Sequence, residues 1–407
     1  MREMKDSRIV WIGAIPKRWQ LSKIGSLYTQ RNEKVSDKDY QPLSVTMQGI
    51  LPQLATAAKT DDGDNRKLVR VGDFAINSRS DRRGSCGISP LDGSVSLINI
   101  ILTPRTAMHP GYYNWLFHTT LFADEFYKWG HGIVADLWTT RWQEMKSITV
   151  PVPEYAEQER IAAFLDAECA EINAVLEKTR ASIEEYKKLK QAVIMQAVTK
   201  SVRGDRPMKN SGIEWIGEIS QDFEIVKLKW LCDILDQFRS PVTADKRNQN
   251  ADVLYDYYGA SGAIDKIDSY TIDDHVMLIG EDGANLRMRN LPIMYEINGK
   301  AWINNHAHIL RPKEGVDFHF VFYALEALDL NYYITGSAQP KLSQDNLRNI
   351  WIPITDFSEQ KRIAAYISDV CVGLDRLIAK KQQYLTEIEN YKKSLIYEYV
   401  TGKKEVV

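Results

Sequence analysis

The chain has 407 residues, with 52 Lys+Arg against 54 Asp+Glu and a formal net charge of −2. That length suits two or three domains, and the near-neutral balance excludes a uniformly basic nucleic-acid coat, so positive charge for DNA must be local or come from a partner. The longest uncharged apolar run, 95–102 (VSLINIIL), is less than half a membrane span, so no membrane association is expected. The opening MREMKDSRIVW has no long apolar stretch behind its charges and is not expected to be a secretory signal. Four scattered cysteines (Cys86, Cys169, Cys232, Cys371) suit neither a disulfide framework nor a CxxC zinc site, and a cytoplasmic location is expected. Ten Trp and twenty Tyr point to sheet-rich portions.

In chain order, WIGAIPKRW (11–19) leads into short alternating runs. LVRVGDFAIN (68–77) and GSVSLINIIL (93–102) read as strands and hairpins, and 112–128 as helix. Residues 66–83 gather Arg66, Lys67, Arg70, Arg79, Arg82 and Arg83 against only Asp73 and Asp81. SRSDRRGSCG (78–87) is a Ser/Gly/Arg loop after a strand, whose amides suit phosphates while its arginines reach base edges. From 153 to 200 the chain has no internal Pro or Gly and is rich in Ala, Glu, Lys, Leu and Gln, which predicts one long helix, a rod of roughly 70 Å. SVRGDRP (201–207) predicts an exposed linker, within a junction spanning 201–212.

A second opening, WIGEIS (215–220), follows. HVMLIGEDG (275–283) and KAWINNHAHILRP (300–312) read as strands, and 318–331 as helix. Arg239, Lys246 and Arg247 occupy one candidate basic loop and Arg287 and Arg289 another; Lys341 follows GSAQP (336–340), with Arg348 beyond. A solvated loop explains any one patch; patches in both halves favour a DNA interface. A second long helix is expected from 355.

The chain is therefore written twice. MKDSRIVWIGAIPK (4–17) matches MKNSGIEWIGEISQ (208–221), and 148–199 matches 350–401 without a gap, pairing Glu157-Gln158 with Glu359-Gln360. The inserts between, 20–147 and 224–349, show no sequence similarity. A heptad seam runs through both long helices: Leu165, Cys169, Ile172, Leu176, Ile183 and Tyr186 in the first, Ile367, Cys371, Leu374, Ile378, Leu385 and Ile388 in the second, with polar positions recurring at 179/381 and 190/392. An isolated rod with an apolar seam needs a partner, and the other copy is the obvious one. A pseudo-two-fold axis would set the rods antiparallel, place Cys169 and Cys371 near opposite ends, and bring the two chain termini together. The expected fold class is α+β, with two mixed α/β domains, 1–152 and 213–354, joined by two antiparallel coiled-coil helices, 153–200 and 355–407.

No catalytic signature is present: no phosphate-binding P-loop, no dinucleotide fingerprint, no HExxH, no GxSxG and no [DNS]-P-P-[YF] of amino methyltransferases. Glu281-Asp282-Gly283 reads as a turn rather than a metal pair, and His306 and His308, alternating on one strand face, lack a third ligand. No catalytic or metal site is assigned.

The two openings, the paired P-x-x-x-EQ-x-RIAA-[FY] helix starts and the AVT and YVTGK helix ends together resemble the DNA specificity subunit of type I restriction–modification enzymes. GEDG (280–283), WINNHAHILRP (302–312) and GSAQPKLS (336–343) are similar to elements of one class of target recognition domain. Ser220 and Phe223 depart from Pro16 and Trp19 of the first opening. The resemblance implies that each insert reads one half of a split, asymmetric site on double-stranded DNA. It implies that the paired helices set the spacer and dock two modification (methyltransferase) subunits, with restriction subunits joining them. S-adenosylmethionine, ATP and Mg then belong to those partners, and this chain binds no cofactor and is not an enzyme. The contrasting reading is a non-catalytic coiled-coil interaction scaffold that reads no DNA sequence.

Overall fold

A computed structural model describes residues 2–53, 63–132, 138–204, 206–247 and 252–406. It forms two compact units, Met1–Arg180 with Gln383–Val407, and Ala181–Gln382. Neither coincides with a contiguous domain, because each takes half of each long helix.

In the first unit a four-stranded sheet runs in the order Cys86–Ile88, Phe74–Asn77, Asn99–Pro104, Tyr28–Arg31, antiparallel throughout. The expected helix over 112–128 is two helices, Pro110–Phe117 and Thr120–Tyr127, because Thr119 caps the second by accepting from the Phe122 N–H. Their buried rings explain the aromatic content: Phe117 lies 4.5 Å from Phe74 and 4.7 Å from Phe122, centroid to centroid. Buried aromatics of this size dominate the energetics of a small core.

The second unit carries a six-stranded sheet, ordered Cys232–Ile234, Ala307–Pro312, Ile272–Gly280, Met294–Ile303, Tyr255–Gly259, Gly262–Ile267. Its first four strands repeat the order and antiparallel sense of the first unit's sheet. Even the register recurs: Tyr28 pairs with Pro104, and Cys232 with Pro312. The inserts, unalignable in sequence, thus share a four-strand core, to which the second adds the 255–267 hairpin. Sequence missed this because alternating apolar residues satisfy a strand in many interchangeable ways.

Around each core the duplicated frame folds alike. Met4–Asp6 pairs with Ala14–Pro16, and Met208–Asn210 with Glu218–Ser220. Gln20–Lys23 pairs with Thr149–Val152, and Glu224–Lys227 with Trp351–Ile354. The long helices run Tyr155–Lys200 and Phe357–Val400. In the first unit they pair antiparallel: Phe164 stacks on Tyr399 at 4.4 Å, Lys392 donates to Asn173 at 2.7 Å, and Arg180 meets Glu389 at 2.7 Å. In the second unit they do so again, with Lys381 over the Tyr186 ring and Lys190 bonded to Asp375 at 2.8 Å. Every seam residue is buried or half-buried, with Leu165, Cys169, Ile367 and Cys371 among the buried ones. Burial of each such aliphatic side chain is worth about 1.5–3 kcal/mol, whereas the exposed ion pairs contribute register more than stability. The seam lysines expected as exceptions reach out to Asp375 and Asn173, and Thr179 turns its hydroxyl onto the Val175 carbonyl. All four cysteines are buried and free.

The repeated Glu-Gln pair explains how the frame closes. Gln158 accepts from the His109 N–H and donates to the Pro153 carbonyl; Gln360 accepts from the Asp317 N–H and donates to Thr355. Each glutamine ties a long helix to the start of the helix that covers the sheet. Glu157 is buried and receives Arg2, Arg18 at 3.1 Å and the Trp19 indole at 2.9 Å. Glu359, also buried, receives Ser201, Arg203 at 3.1 Å and Arg206 at 3.7 Å. The termini lie together as expected: Arg2 reaches the Gly402 carbonyl and Glu405, and Lys403 donates to Ile12 at 2.6 Å. Within 201–207, Arg203, Gly204 and Pro207 are exposed as expected, whereas Ser201 is buried and bonds Glu359, which also takes Arg203 and Arg206.

Burial opposes ionisation of Glu157, yet the hydrogen bonds from Arg2, Trp19 and Arg18 outweigh it and hold its carboxyl below the ordinary glutamate value. A depressed folded-state value contributes stability above the unfolded pKa of about 4.3 and loses it as pH falls through the folded value. Glu157→Gln is therefore expected to destabilise the protein by about 2 kcal/mol at pH 7. The gap should close as pH drops below about 4, which denaturant melts at several pH values will measure.

Candidate nucleic-acid interface

Part of the candidate set gathers at one end of each sheet: Arg79, Arg82 and Arg83 in the first unit, Arg239 and Lys341 in the second. In the first unit the Phe74–Asn77 strand ends opposite Asn99, and the chain beyond it is stitched to 138–140. Ser80 N–H donates to Trp138 O and Thr140 N–H to Ser78 O, both at 2.9 Å. His131 and Thr139 exchange two bonds, at 3.1 and 3.0 Å. This fixes the 78–83 turn, whose Ser80–Arg82 segment is a 3-10 helix.

On that turn Arg79 pairs with Asp81 at 3.1 Å, and Arg83 pairs with Asp124 beside the Tyr127 ring. Arg82 is the most open, its side chain 69% exposed and 3.9 Å from Asp81. Trp129 and Trp138 are exposed on the same stitched segments. The remaining members of the basic run lie off that turn. Arg66 is 4% exposed and donates to the Ser94 hydroxyl and carbonyl, at 2.8 and 3.0 Å, so it is a packing residue rather than the free cation expected. Strand alternation is the reason: Arg66 opens the Arg66–Val69 strand on its inward face. Lys67 donates to the Asn99 carbonyl at 2.7 Å. Burial lowers both Arg66 and Lys67 below their ordinary pKa values. Arg70 is half-exposed, paired with Asp92 at 2.9 Å and lying over Tyr40.

The second unit makes the same stitch. Its long strand ends at Gly280 opposite Ala307. Gly283 N–H donates to Pro340 O at 3.0 Å, Leu342 N–H to Glu281 O at 2.7 Å, and Thr335 and Lys341 exchange bonds at 2.9 and 2.8 Å. GEDG and GSAQPKLS, nearly sixty residues apart, are thus one site. Beneath it lies a buried polar network that sequence reasoning did not assemble. Asp236 accepts from His308 Nδ1 at 2.7 Å and from Gln344 at 2.9 Å, and meets Arg239 at 3.3 Å. Arg239 also pairs with Glu281, which takes Lys341 at 3.0 Å. Burial opposes charge on Asp236 and Glu281. It is outweighed by the His308 hydrogen bond at Asp236 and by Arg239 and Lys341 at Glu281, so both carboxyls lie below their ordinary values.

Arg239 is therefore spent on this network. Arg247 pairs with Asp265 at 2.6 Å over the Tyr257 ring. The side chain of Lys246 lies outside the described residues. Arg289, in left-handed backbone at φ 49°, turns inward onto the carbonyls of Glu326 and Leu328, which corrects its assignment as a ligand-facing cation. Arg287 reaches the Ile334 carbonyl at 3.2 Å and remains exposed, as does half of Lys341. His306 and His308 do not share a face, because the strand starts at Ala307: His306 sits in the turn and meets Asp282 at 2.8 Å, while His308 is buried. Among the described residues no group of three or more His, Cys, Asp or Glu is placed to hold a metal, and no helix is long and apolar enough to cross a membrane.

Residues 220–390 match the family model for the type I restriction modification DNA specificity domain. Over that stretch the chain is similar to type I specificity domains. The type I restriction enzyme MjaVIII specificity subunit of Methanocaldococcus jannaschii is 27% identical over 282 residues, covering 64% of this chain and 63% of that protein. A Haemophilus influenzae relative, the specificity subunit S.HindORF215P, is 28% identical over 159 residues, covering 39% of this chain and 37% of its own length. The matches thus span less than two thirds of these relatives. A solved chain from work on complex assembly and conformational transition of the type I R-M system shares the fold at TM-score 0.72 and 14% identity, over 96% of this chain and 99% of that one.

The two kinds of arginine in this chain separate experimentally. Arg66→Ala, which strands a buried hydroxyl and carbonyl, is expected to cost about 2 kcal/mol of stability, and Arg82→Ala less than about 0.5 kcal/mol, measured by denaturant unfolding.

Proposed function

We propose that this chain is the sequence-specific DNA-recognition subunit of a type I restriction–modification complex and performs no chemistry itself. Each insert reads one half of a bipartite, asymmetric site, and the paired helices set the spacer and dock two modification subunits. Those subunits carry S-adenosylmethionine and methylate adenine; restriction subunits add the ATP- and Mg-dependent steps. One observation carries the reading: the same four-strand core, with the same stitched loops at its end, holds different side chains in the two units. A duplicated enzyme has no need of two unlike heads on one frame, whereas a reader of two unlike half-sites does. The near-neutral net charge is compatible with it when partner subunits add phosphate contacts, which dominate affinity.

Exchange of residues 20–147 for the insert of a relative is expected to change one half of the methylated motif, read by sequencing modified adenines. A change in both halves, or in neither, would contradict the modular reading. In the reconstituted complex, Arg82→Ala should weaken DNA binding roughly three- to tenfold and reduce the salt slope by about one, with assembly intact. An unchanged slope would remove Arg82 from the interface.

A further inference from the structure

The shared register lets the two units be compared residue by residue at the sheet end. Asn77–Asn99 and Gly280–Ala307 are the equivalent final pairs. Counting from them and from the outer strands, Asn32 corresponds to Asp236, Ser78 to Glu281 and Ile100 to His308. Across the stitch, Thr139 corresponds to Lys341 and Trp142 to Gln344. The second unit's network therefore occupies the position of these residues in the first.

In the first unit that position is open. Ser78 turns its hydroxyl to the Ile98 carbonyl and Ile100 is apolar, so neither builds a network. A cleft of about 330 Å³ remains, lined by Gln30, Asn32, Lys67, Thr139, Arg141 and Trp142 among others. No hydrogen bond or ion pair joins the side chains of Gln30 and Asn32 to another described residue. Gln30 is half-buried and Asn32 and Arg141 are exposed. Carboxamides pair bidentately with adenine and guanidinium with guanine, so a cleft offering both is chemically suited to base edges.

Resting on the DNA-recognition reading above, we propose that this cleft is the base-reading site of the first unit, with Gln30, Asn32 and Arg141 as its specificity-determining residues. The second unit presents Lys341 and the His306–Asp282 pair from the same topological position. One location thus reads two different half-sites: an open cleft of amides in one unit, a rigid charged platform in the other.

The test uses the full complex and compares methylated-adenine motifs of the wild type, Gln30→Ala and Asn32→Asp. The expected result is relaxed or altered preference at one or two positions of the half-site assigned to residues 20–147, with discrimination there falling roughly tenfold or more and the other half unchanged. Asn32→Asp is nearly isosteric and exposed, and it decides the matter alone if Gln30→Ala fails to assemble. An unaltered motif in Asn32→Asp, or a uniform loss of methylation across all sequences, overturns the assignment. Absence of any sequence-dependent motif in the wild-type complex would instead overturn the DNA-recognition reading itself.

Discussion

The structure depends on one constraint: neither long helix can leave its apolar seam in water, and in each unit the seam is covered by the other helix running the opposite way. Antiparallel pairing brings the last turns of the second helix to the first insert, so Leu395 and Val400 join the core that contains Trp19, Tyr112 and Leu165. Likewise Ile194, Ala197 and Val198 of the first helix enter the core with Phe223, Phe320 and Ile363. Each compact unit is consequently built from segments far apart in the chain.

Glu157 and Glu359 finish what the seam begins. Each is a buried carboxylate that must be compensated, and each collects cations from the segment that follows a long helix or precedes an opening strand. At Glu359 that segment is covalently continuous through Ser201 and Arg206; at Glu157 the same role falls to Arg2 and Arg18, and Arg2 also donates to the Gly402 carbonyl and Glu405. Gly402 fits because its backbone lies at φ 71° and a Cβ would meet Pro16 at 2.5 Å.

On such a frame the inserts are free to diverge. Backbone hydrogen bonds make the stitch at the sheet end, and they make no demand on side-chain identity, so Thr139 can stand where Lys341 does. What changes is how the space beneath is filled. Asp236, His308, Glu281 and Arg239 satisfy one another in one unit, while shorter or apolar residues leave a cleft in the other. Under the proposed function, a common backbone with differing fillings would give modular specificity.

The repeat, the two long helices, the seam residues and the alternating strands were legible from residue types and spacing, because periods of 3.5 and 2 are written directly into where apolar side chains fall. The pairing of Asp282 with Lys341, the inward turn of Arg66 and Arg289, and the cleft around Asn32 were decided only by tertiary structure. A basic residue carries no mark of which strand face it occupies or which carboxylate it will meet. That is settled when segments distant in sequence are brought within hydrogen-bond reach, where unpaired buried charge is too costly to persist.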